Sequence, residues 1–167
     1  MGEANAGTLS LMADTQRLSQ AALDRLVAEH KDLSTRGRID IADKIEVARL
    51  MGDLKENGDY HAAKEEQGKM EGRISMLAGI IENSEIIEES DDGTVQPGCV
   101  VEIRYEGDSD TEKLLFGSIE EQRDGLDICS PGSPLGQALE GATPGTTVTF
   151  EAPNGMELKV EVVTVEA

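Results

Sequence analysis

Residues 60–84 read YHAAKEEQGKMEGRISMLAGIIENS. Within this stretch, the positions that can line a helix seam recur at unbroken alternating spacings of three and four: Tyr60, Ala63, Gln67, Met70, Ile74, Leu77, Ile81 and Ser84. Such a heptad spacing predicts a long helix whose seam packs against a partner helix. Gln67 is polar at a seam position, which favours a role in setting the register of the pair more than in stabilising it.

A second stripe precedes this one and predicts the partner helix. It comprises Leu23, Leu26, His30 and Leu33, and it continues after Gly37 with Ile41, Ile45 and Ala48. Only residues 51–58 separate the two stripes, so the two helices should be joined by a short loop and run antiparallel. At 1.5 Å per residue the hairpin would reach about 40–50 Å, which places its tip far from any globular body.

The composition changes at about residues 90–93, where the helical period stops and Gly, Pro, Val and Thr become frequent. Short alternating runs follow and predict strands at residues 99–105, 113–120, 126–129, 146–151 and 156–165. Pro153-Asn154-Gly155 predicts a hairpin turn between the last two strands, and Ser133 to Leu139 predicts one short helix.

These patterns predict an α+β chain. We expect residues 1–15 to be a flexible leader and residues 16–90 to form an antiparallel α-helical coiled-coil hairpin, with an acidic tip at residues 52–58. Residues 93–167 should form a small antiparallel β domain with one short helix.

Charge limits the classes of partner. Among 167 residues, Lys and Arg number 15 and Asp and Glu number 34, which gives a net charge of −19. Because phosphate binding depends on basic contacts, we expect no strong independent binding to DNA and no binding to an anionic membrane. The chain shows neither a secretory signal nor an apolar span of about 18 residues, so we expect a cytoplasmic protein with reduced thiols. Cys99 and Cys129 lack metal-ligand spacing and are expected to be buried as small hydrophobic residues.

The loop between the two stripes carries the candidate chemistry, Gly52-Asp53-Leu54-Lys55-Glu56-Asn57-Gly58. Asp53 and Glu56 are three residues apart, which makes them neighbours in a tight turn. Two carboxylates offer hard oxygen ligands suited to Mg²⁺ when another molecule supplies the remaining ligands. The same Asp-x-x-Glu pattern is also that of a capping box, with Asp53 as N-cap and Glu56 at N3. The two interpretations do not exclude each other, and the pattern alone favours capping.

The tip and the helix after it resemble the Gre family of bacterial transcript-cleavage and elongation factors, GreA type. The resemblance lies in Gly52 to Asn57, Tyr60 to Gln67 and Glu71 to Ile74, and in the later run Ser133 to Leu139 followed by Pro144-Gly145. It implies a coiled coil followed by an FKBP-like domain. That domain would dock on bacterial RNA polymerase at the rim of its secondary channel, and the hairpin would reach down the channel.

The resemblance also implies roles for single residues. Asp53 and Glu56 would be the catalytic acidic pair, holding a weakly bound Mg²⁺ jointly with the polymerase, and Asn57 and Tyr60 would support the tip. The polymerase would then cleave backtracked nascent RNA near its 3′ end, so the chain would be a cofactor and not itself an enzyme.

Two further groups of residues have implied contacts. Arg36, Arg38, Lys44 and Arg49 would contact the RNA, although a solvated face with i,i+4 partners such as Asp40–Lys44 explains them equally well. Ser133 and Pro134 would touch the polymerase rim, with an ordinary turn as the alternative.

Two rival functions have weaker support from the sequence. A Gre-like regulator could occupy the same channel without promoting cleavage, but such relatives alter the acidic pattern that this chain keeps. A peptidyl-prolyl isomerase needs an aromatic-lined pocket, for which the second domain offers only Tyr105, Phe116 and Phe150.

Overall fold

The computed structural model describes residues 15–53, 55–87 and 93–167. The predicted leader at residues 1–15 lies outside the described residues except for Thr15, and so does most of the predicted boundary at residues 90–93. The helices are α1 (Gln20–Asp32), α2 (Arg38–Leu50), α3 (Gly58–Glu82) and α4 (Pro134–Leu139), with a π-helical segment at Leu33–Gly37 and a 3-10 turn at Ile119–Glu121. The strands are β1 (Gln16–Leu18), β2 (Ser84–Ile86), β3 (Val100–Tyr105), β4 (Glu112–Phe116), β5 (Asp127–Cys129), β6 (Thr147–Glu151) and β7 (Glu157–Glu166).

The predicted helical hairpin is confirmed. Ion pairs across it join Glu29 to Arg73, Arg38 to Glu71 and Lys44 to Glu66, so residue numbers rise along one helix as they fall along the other. Every seam position of α3 is buried or half-buried, and so is every predicted position of the first stripe. Heptad spacing was therefore sufficient to identify the packed faces.

The predicted single first helix is wrong in its first residues. Residues 16–18 form β1, which pairs in parallel with β2, the strand that directly follows α3. The two strands therefore lie together at the base of the hairpin. Ile87 N donates to Leu18 O at 3.0 Å, and Leu18 is fully buried beside Ala22, Leu26 and Leu77. A strand replaces the helix here because the chain leaving α3 supplies partners for this backbone, which local helix propensity does not represent.

The π-helical segment joins α1 to α2 without ending the helix. Its Gly37 faces α3 so closely that an added Cβ would lie 3.1 Å from Met70 Sδ. In the first stripe, Leu33, Gly37 and Ile41 are spaced four residues apart. An α-helix has 3.6 residues per turn, so repeated spacings of four would rotate these positions away from α3. The wider π turns offset that rotation and keep the stripe against α3.

The second domain is a five-stranded sheet in the order β5-β4-β3-β7-β6, so the α+β class is confirmed. All neighbours are antiparallel except β4 and β5, which corrects the expectation of a wholly antiparallel sheet. The predicted strand at residues 113–120 ends at Phe116, and the 3-10 turn that follows carries the chain back before β5 starts. The predicted turn at residues 153–155 is confirmed, because Ala152 N donates to Met156 O at 2.8 Å.

The core of the sheet domain contains Cys129 together with Val95, Val101, Ile103, Leu114, Phe116, Leu139, Val160 and Val162. Burial raises the pKa of the Cys129 thiol, as expected for an inert buried cysteine. Cys99 is only half-buried, which corrects the prediction that both cysteines are fully buried.

Candidate functional site

The hairpin tip is a tight turn that leaves two carboxylates in solvent. Glu56 N donates to Asp53 O at 3.2 Å and closes the turn, and Lys55 N lies 3.3 Å from Asp53 Oδ1. The side chains of both Asp53 and Glu56 are exposed. The turn therefore presents two hard oxygen groups at the end of a long, narrow support.

The capping box predicted at Asp53 and Glu56 is wrong. α3 begins at Gly58, and its N-cap is Asn57, whose Oδ1 accepts from Tyr60 N at 3.1 Å. Asn57 has the extended backbone that suits an N-cap, with φ −91° and ψ 96°. Because Asn57 caps the helix, neither Asp53 nor Glu56 is needed for capping.

Asn57 has a second contact that supports the tip. Its Nδ2 donates to Ala48 O, which links the start of α3 to the last turn of α2. Tyr60, the other residue assigned to tip support, is half-buried in the first turn of α3. Its ring lies edge-on to that of His61, with the two ring centroids 5.7 Å apart. The two residues therefore lie where they can hold the loop, Asn57 through hydrogen bonds and Tyr60 through its position in the first turn.

The donor set at the tip fits Mg²⁺ only as a shared ion. Two exposed carboxylates are suitable ligands for a hard cation, which usually keeps several waters and takes few protein ligands. Within the described ranges, no group of three or more His, Cys, Asp or Glu side chains is arranged to hold a metal ion. Asp53 and Glu56 can therefore contribute to such a site when a partner provides the other ligands.

Three of the four residues assigned to RNA contact are paired within the hairpin. Arg36 Nη2 lies 2.9 Å from Asp32 Oδ2, and Lys44 binds Glu66 of α3 and not the Asp40 considered from the sequence. Arg38 donates twice to Glu71 at 2.8 Å, which lowers the pKa of the Glu71 carboxyl. Arg49 has no ion pair with any residue that the structure describes. Among the four, Arg49 is thus the cation left free for a phosphate.

The two residues assigned to polymerase docking begin α4. Ser133 is its N-cap: the hydroxyl donates to Ser130 O at 2.7 Å and accepts from Gly136 N at 3.0 Å. Pro134 follows in the first turn and is exposed. A Cβ at Gly136 would lie 1.9 Å from Ser130 O, so glycine is required for this close turn. The local structure is a capped turn in which Pro134 is presented to solvent.

The aromatic residues do not favour an isomerase. Phe116 is fully buried in the sheet core, and Tyr105 and Phe150 are partly buried against it. A proline pocket cannot use a ring that is enclosed in the core.

Sequence reasoning missed a polar cluster where the hairpin meets the sheet domain. Arg73 of α3 binds Glu29 through two hydrogen bonds, of 2.7 and 2.8 Å, and also reaches Glu120 of the 3-10 turn at 3.3 Å. The hydrogen bonds from Arg73 lower the pKa of the Glu29 carboxyl. Ser19 and Glu121 lie in the same region, fully or almost fully buried. A serine before a helix is an N-cap signal that could have indicated Ser19, whereas a buried glutamate within an acidic run carries no sequence signal.

The described part of the chain contains no helix long and apolar enough to span a membrane.

Comparison with known proteins identifies the family. The family model described as Transcription elongation factor, N-terminal, matches residues 16–86, and the one described as Transcription elongation factor, GreA/GreB, C-term, matches residues 89–167. The chain is 45% identical over 159 residues to transcription elongation factor GreA of Saccharopolyspora erythraea, covering 93% of this chain and 98% of the relative. It is 44% identical over 151 residues to GreA of Streptomyces avermitilis, covering 89% and 92%.

Among solved structures, that of the transcription factor Gfh1 is 25% identical, covers 93% of this chain and 100% of its own, and has a TM-score of 0.46. The two family models together match almost all of residues 16–167, in the order in which the helical hairpin and the sheet domain follow one another. The chain belongs to the GreA/GreB family of transcription elongation factors.

Proposed function

We propose that this chain stimulates RNA polymerase to cleave backtracked nascent RNA, with the sheet domain docked at the rim of the secondary channel and the acidic turn inserted toward the catalytic centre. The observation that supports this most strongly is the state of Asp53 and Glu56, which are exposed and are not needed for capping. α3 has 25 residues and is therefore about 37 Å long, which suits a tip that acts at a distance from its docking domain.

The carboxylates of Asp53 and Glu56 would bind and orient the water that attacks the RNA phosphodiester. Mg²⁺ held jointly by this pair and the polymerase would stabilise the attacking and leaving oxygens. Asn57 holds the turn through α3 and Ala48 O, so the two carboxylates are presented from a fixed base. Among the described residues, no third His, Cys, Asp or Glu side chain joins this pair, so the polymerase would supply the other ligands. The chain would then act as a cofactor whose catalysis is shared with the polymerase.

The proposed contacts with RNA and with the polymerase surface depend on which side chains are exposed and not already paired. Arg49 is exposed in the last turn of α2, near the acidic turn, and would bind an RNA phosphate. Arg36, Arg38 and Lys44 would first have to leave their carboxylate partners, so they would contribute less. On the sheet domain, exposed Pro134 is the side chain offered to the polymerase, since the hydroxyl of Ser133 is already used in capping.

The test is RNA cleavage in stalled elongation complexes with and without the full chain. Asp53→Asn and Glu56→Gln each remove one carboxylate, and Asp59→Asn makes the same chemical change in the first turn of α3. We expect the two tip variants to lose at least about 10–100-fold in cleavage rate, because removing a direct metal ligand should cost no less than removing a partner that only orients one. Their free energy of unfolding should change by less than about 0.5 kcal/mol, because neither residue caps a helix.

Asp59→Asn should stimulate cleavage as the parent does. A raised Mg²⁺ concentration should restore part of the cleavage rate that the tip variants lose. Normal stimulation by both tip variants would contradict the role proposed for Asp53 and Glu56. If the parent chain itself does not stimulate cleavage, it would instead be a regulator that occupies the channel without promoting cleavage.

A further inference from the structure

Glu121 of the sheet domain binds the start of the hairpin. Its carboxylate accepts from Ser19 N at 2.7 Å and from Ser19 Oγ at 2.8 Å, and the two residues are 102 positions apart in the chain. Glu121 is fully buried and Ser19 is 5% exposed. Ser19 is also the N-cap of α1, where its Oγ accepts from Ala22 N at 3.2 Å. The carboxylate therefore sits at the positive end of α1, which offsets the cost of burying its charge.

Two glycines flank this contact, and neither position has room for a Cβ. A Cβ at Gly117 would lie 2.7 Å from Glu121 Cγ, and a Cβ at Gly98 would lie 3.0 Å from Ser19 Cβ. Gly98 has φ +98°, a backbone conformation that glycine adopts readily and other residues rarely do. Two glycines on separate loops thus allow the serine and the glutamate to meet.

The 3-10 turn that carries Glu121 also contacts α1 and α3 through its Glu120. Arg25 Nη2 donates to Glu120 O at 3.1 Å, and Arg73 Nη1 reaches Glu120 Oε1 at 3.3 Å while it binds Glu29 of α1. Ser118 caps the turn and Glu121 N donates to Ser118 O at 2.9 Å, so the carboxylate is presented from a defined backbone. Glu121 differs from these neighbours because its contact is buried and therefore shielded from solvent and salt.

We propose that Glu121 is a positioning residue: by binding Ser19 it fixes the direction of the hairpin relative to the sheet domain. Relative domain motion is the usual expectation for small polar interfaces, so a specific contact is needed to suppress it. A rotation of about 10° at the base would displace the tip of a hairpin about 37 Å long by about 6 Å. The catalytic consequence rests on the proposed function, in which the sheet domain docks and the tip acts.

The direct test measures residual dipolar couplings of backbone amides in the full chain, which report the relative orientation of the two parts. In the parent protein, one alignment tensor should fit the hairpin and the sheet domain together. In Glu121→Ala, we expect two tensors of different magnitude, with each part still giving a dispersed amide spectrum. Glu140→Gln is the control, since it removes the exposed Arg17–Glu140 ion pair at the same boundary and should retain one tensor.

A second pair of variants separates positioning from helix capping. Ser19→Asp keeps a good N-cap residue but places a second carboxylate against Glu121, so it should give two tensors. Adding Glu121→Gln should restore one tensor, because the amide can donate to the introduced carboxylate. A single tensor in both Glu121→Ala and Ser19→Asp would overturn the inference. If Glu121→Ala does not fold, the Ser19→Asp variant and its rescue decide the question in the same way.

Cleavage assays then test the consequence. At saturating concentration, Glu121→Ala should lower the cleavage rate by about tenfold or more, since small misplacements of reacting groups are costly. The concentration for half-maximal effect should stay within about twofold, because the hydrogen bonds that hold Ser133 run to Ser130 and Gly136 and do not involve Glu121. If the parent protein does not stimulate cleavage, the proposed function fails while the couplings still decide the role of Glu121.

Discussion

At the scale of single residues, the tip shows how one short pattern can fit two structures. Asp-x-x-Glu before a helix satisfies both a capping box and an acidic pair, and the sequence alone favoured the cap. The helix is instead capped one position after Glu56, by Asn57, whose amide also reaches the preceding helix. The amide explains the choice, because it accepts from one helix and donates to the other, which a carboxylate cannot do.

Asn57→Ala should lower the free energy of unfolding by about 1 kcal/mol, the usual cost of losing an N-cap. Asn57→Asp should cost less, because it retains the acceptor for Tyr60 N and loses only the donor to Ala48 O. Urea unfolding followed by far-UV circular dichroism measures both. Asn83→Ala, at the other end of α3, is the matched control and should cost less than Asn57→Ala. Equal stability of the parent and Asn57→Ala would show that Asn57 does not hold the tip.

At the scale of elements, the heptad seam determines where the hairpin packs. Ile74 is 6% exposed and Leu77 is fully buried, whereas Met76 between them is 48% exposed. Neighbouring apolar residues on one helix thus have different environments according to their place in the repeat. The seam also explains why an acidic chain can form two long helices: the apolar positions pack, and the charges pair across the outer faces through contacts such as Arg38–Glu71.

Ile74→Asp should destabilise the hairpin by about 2–5 kcal/mol or more, since it removes a large buried side chain and introduces a charge among apolar neighbours. Met76→Asp makes a similar change on the exposed face and should cost about 0.5 kcal/mol. Thermal melting followed by circular dichroism of the two full-length variants measures the difference. Similar melting of the two variants would contradict the assignment of Ile74 to the seam.

At the scale of the whole molecule, each part has a core of its own. Among the residues that the structure describes, the buried cluster of the sheet domain contains residues from Val95 to Val162, and the cluster at the hairpin base contains residues from Leu18 to Leu77. The hydrogen bonds and ion pairs between the two parts involve Arg17, Ser19, Arg25 and Arg73 on the hairpin side. Polar contacts of this kind determine orientation more than the stability of either part.

A fragment of residues 93–167 should therefore fold, because it retains every residue of the buried cluster in the sheet domain. It should compete with the full chain for RNA polymerase without stimulating cleavage, since the acidic turn is absent. The measurement is inhibition of cleavage by added fragment, together with its amide spectrum. A folded fragment that does not compete would contradict the assignment of docking to the sheet domain.

The sequence by itself determined the elements whose signal is periodic and local. Alternating spacings of three and four specified the two packed faces of the hairpin, and alternation with Pro153-Asn154-Gly155 specified most strands and the last turn. These signals are readable because a helix or strand repeats its environment over neighbouring residues.

Tertiary structure alone decided the features that depend on residues far apart in the chain. The parallel pairing of β1 with β2 joins the residues that precede the first helix to those that follow the last helix of the hairpin. The Ser19–Glu121 contact spans 102 positions. The pairing of Arg38 and Lys44 with carboxylates of α3 likewise depends on which face of one helix meets the other. A residue's own neighbours do not encode such partners, because the partner is chosen by the packing of the whole chain.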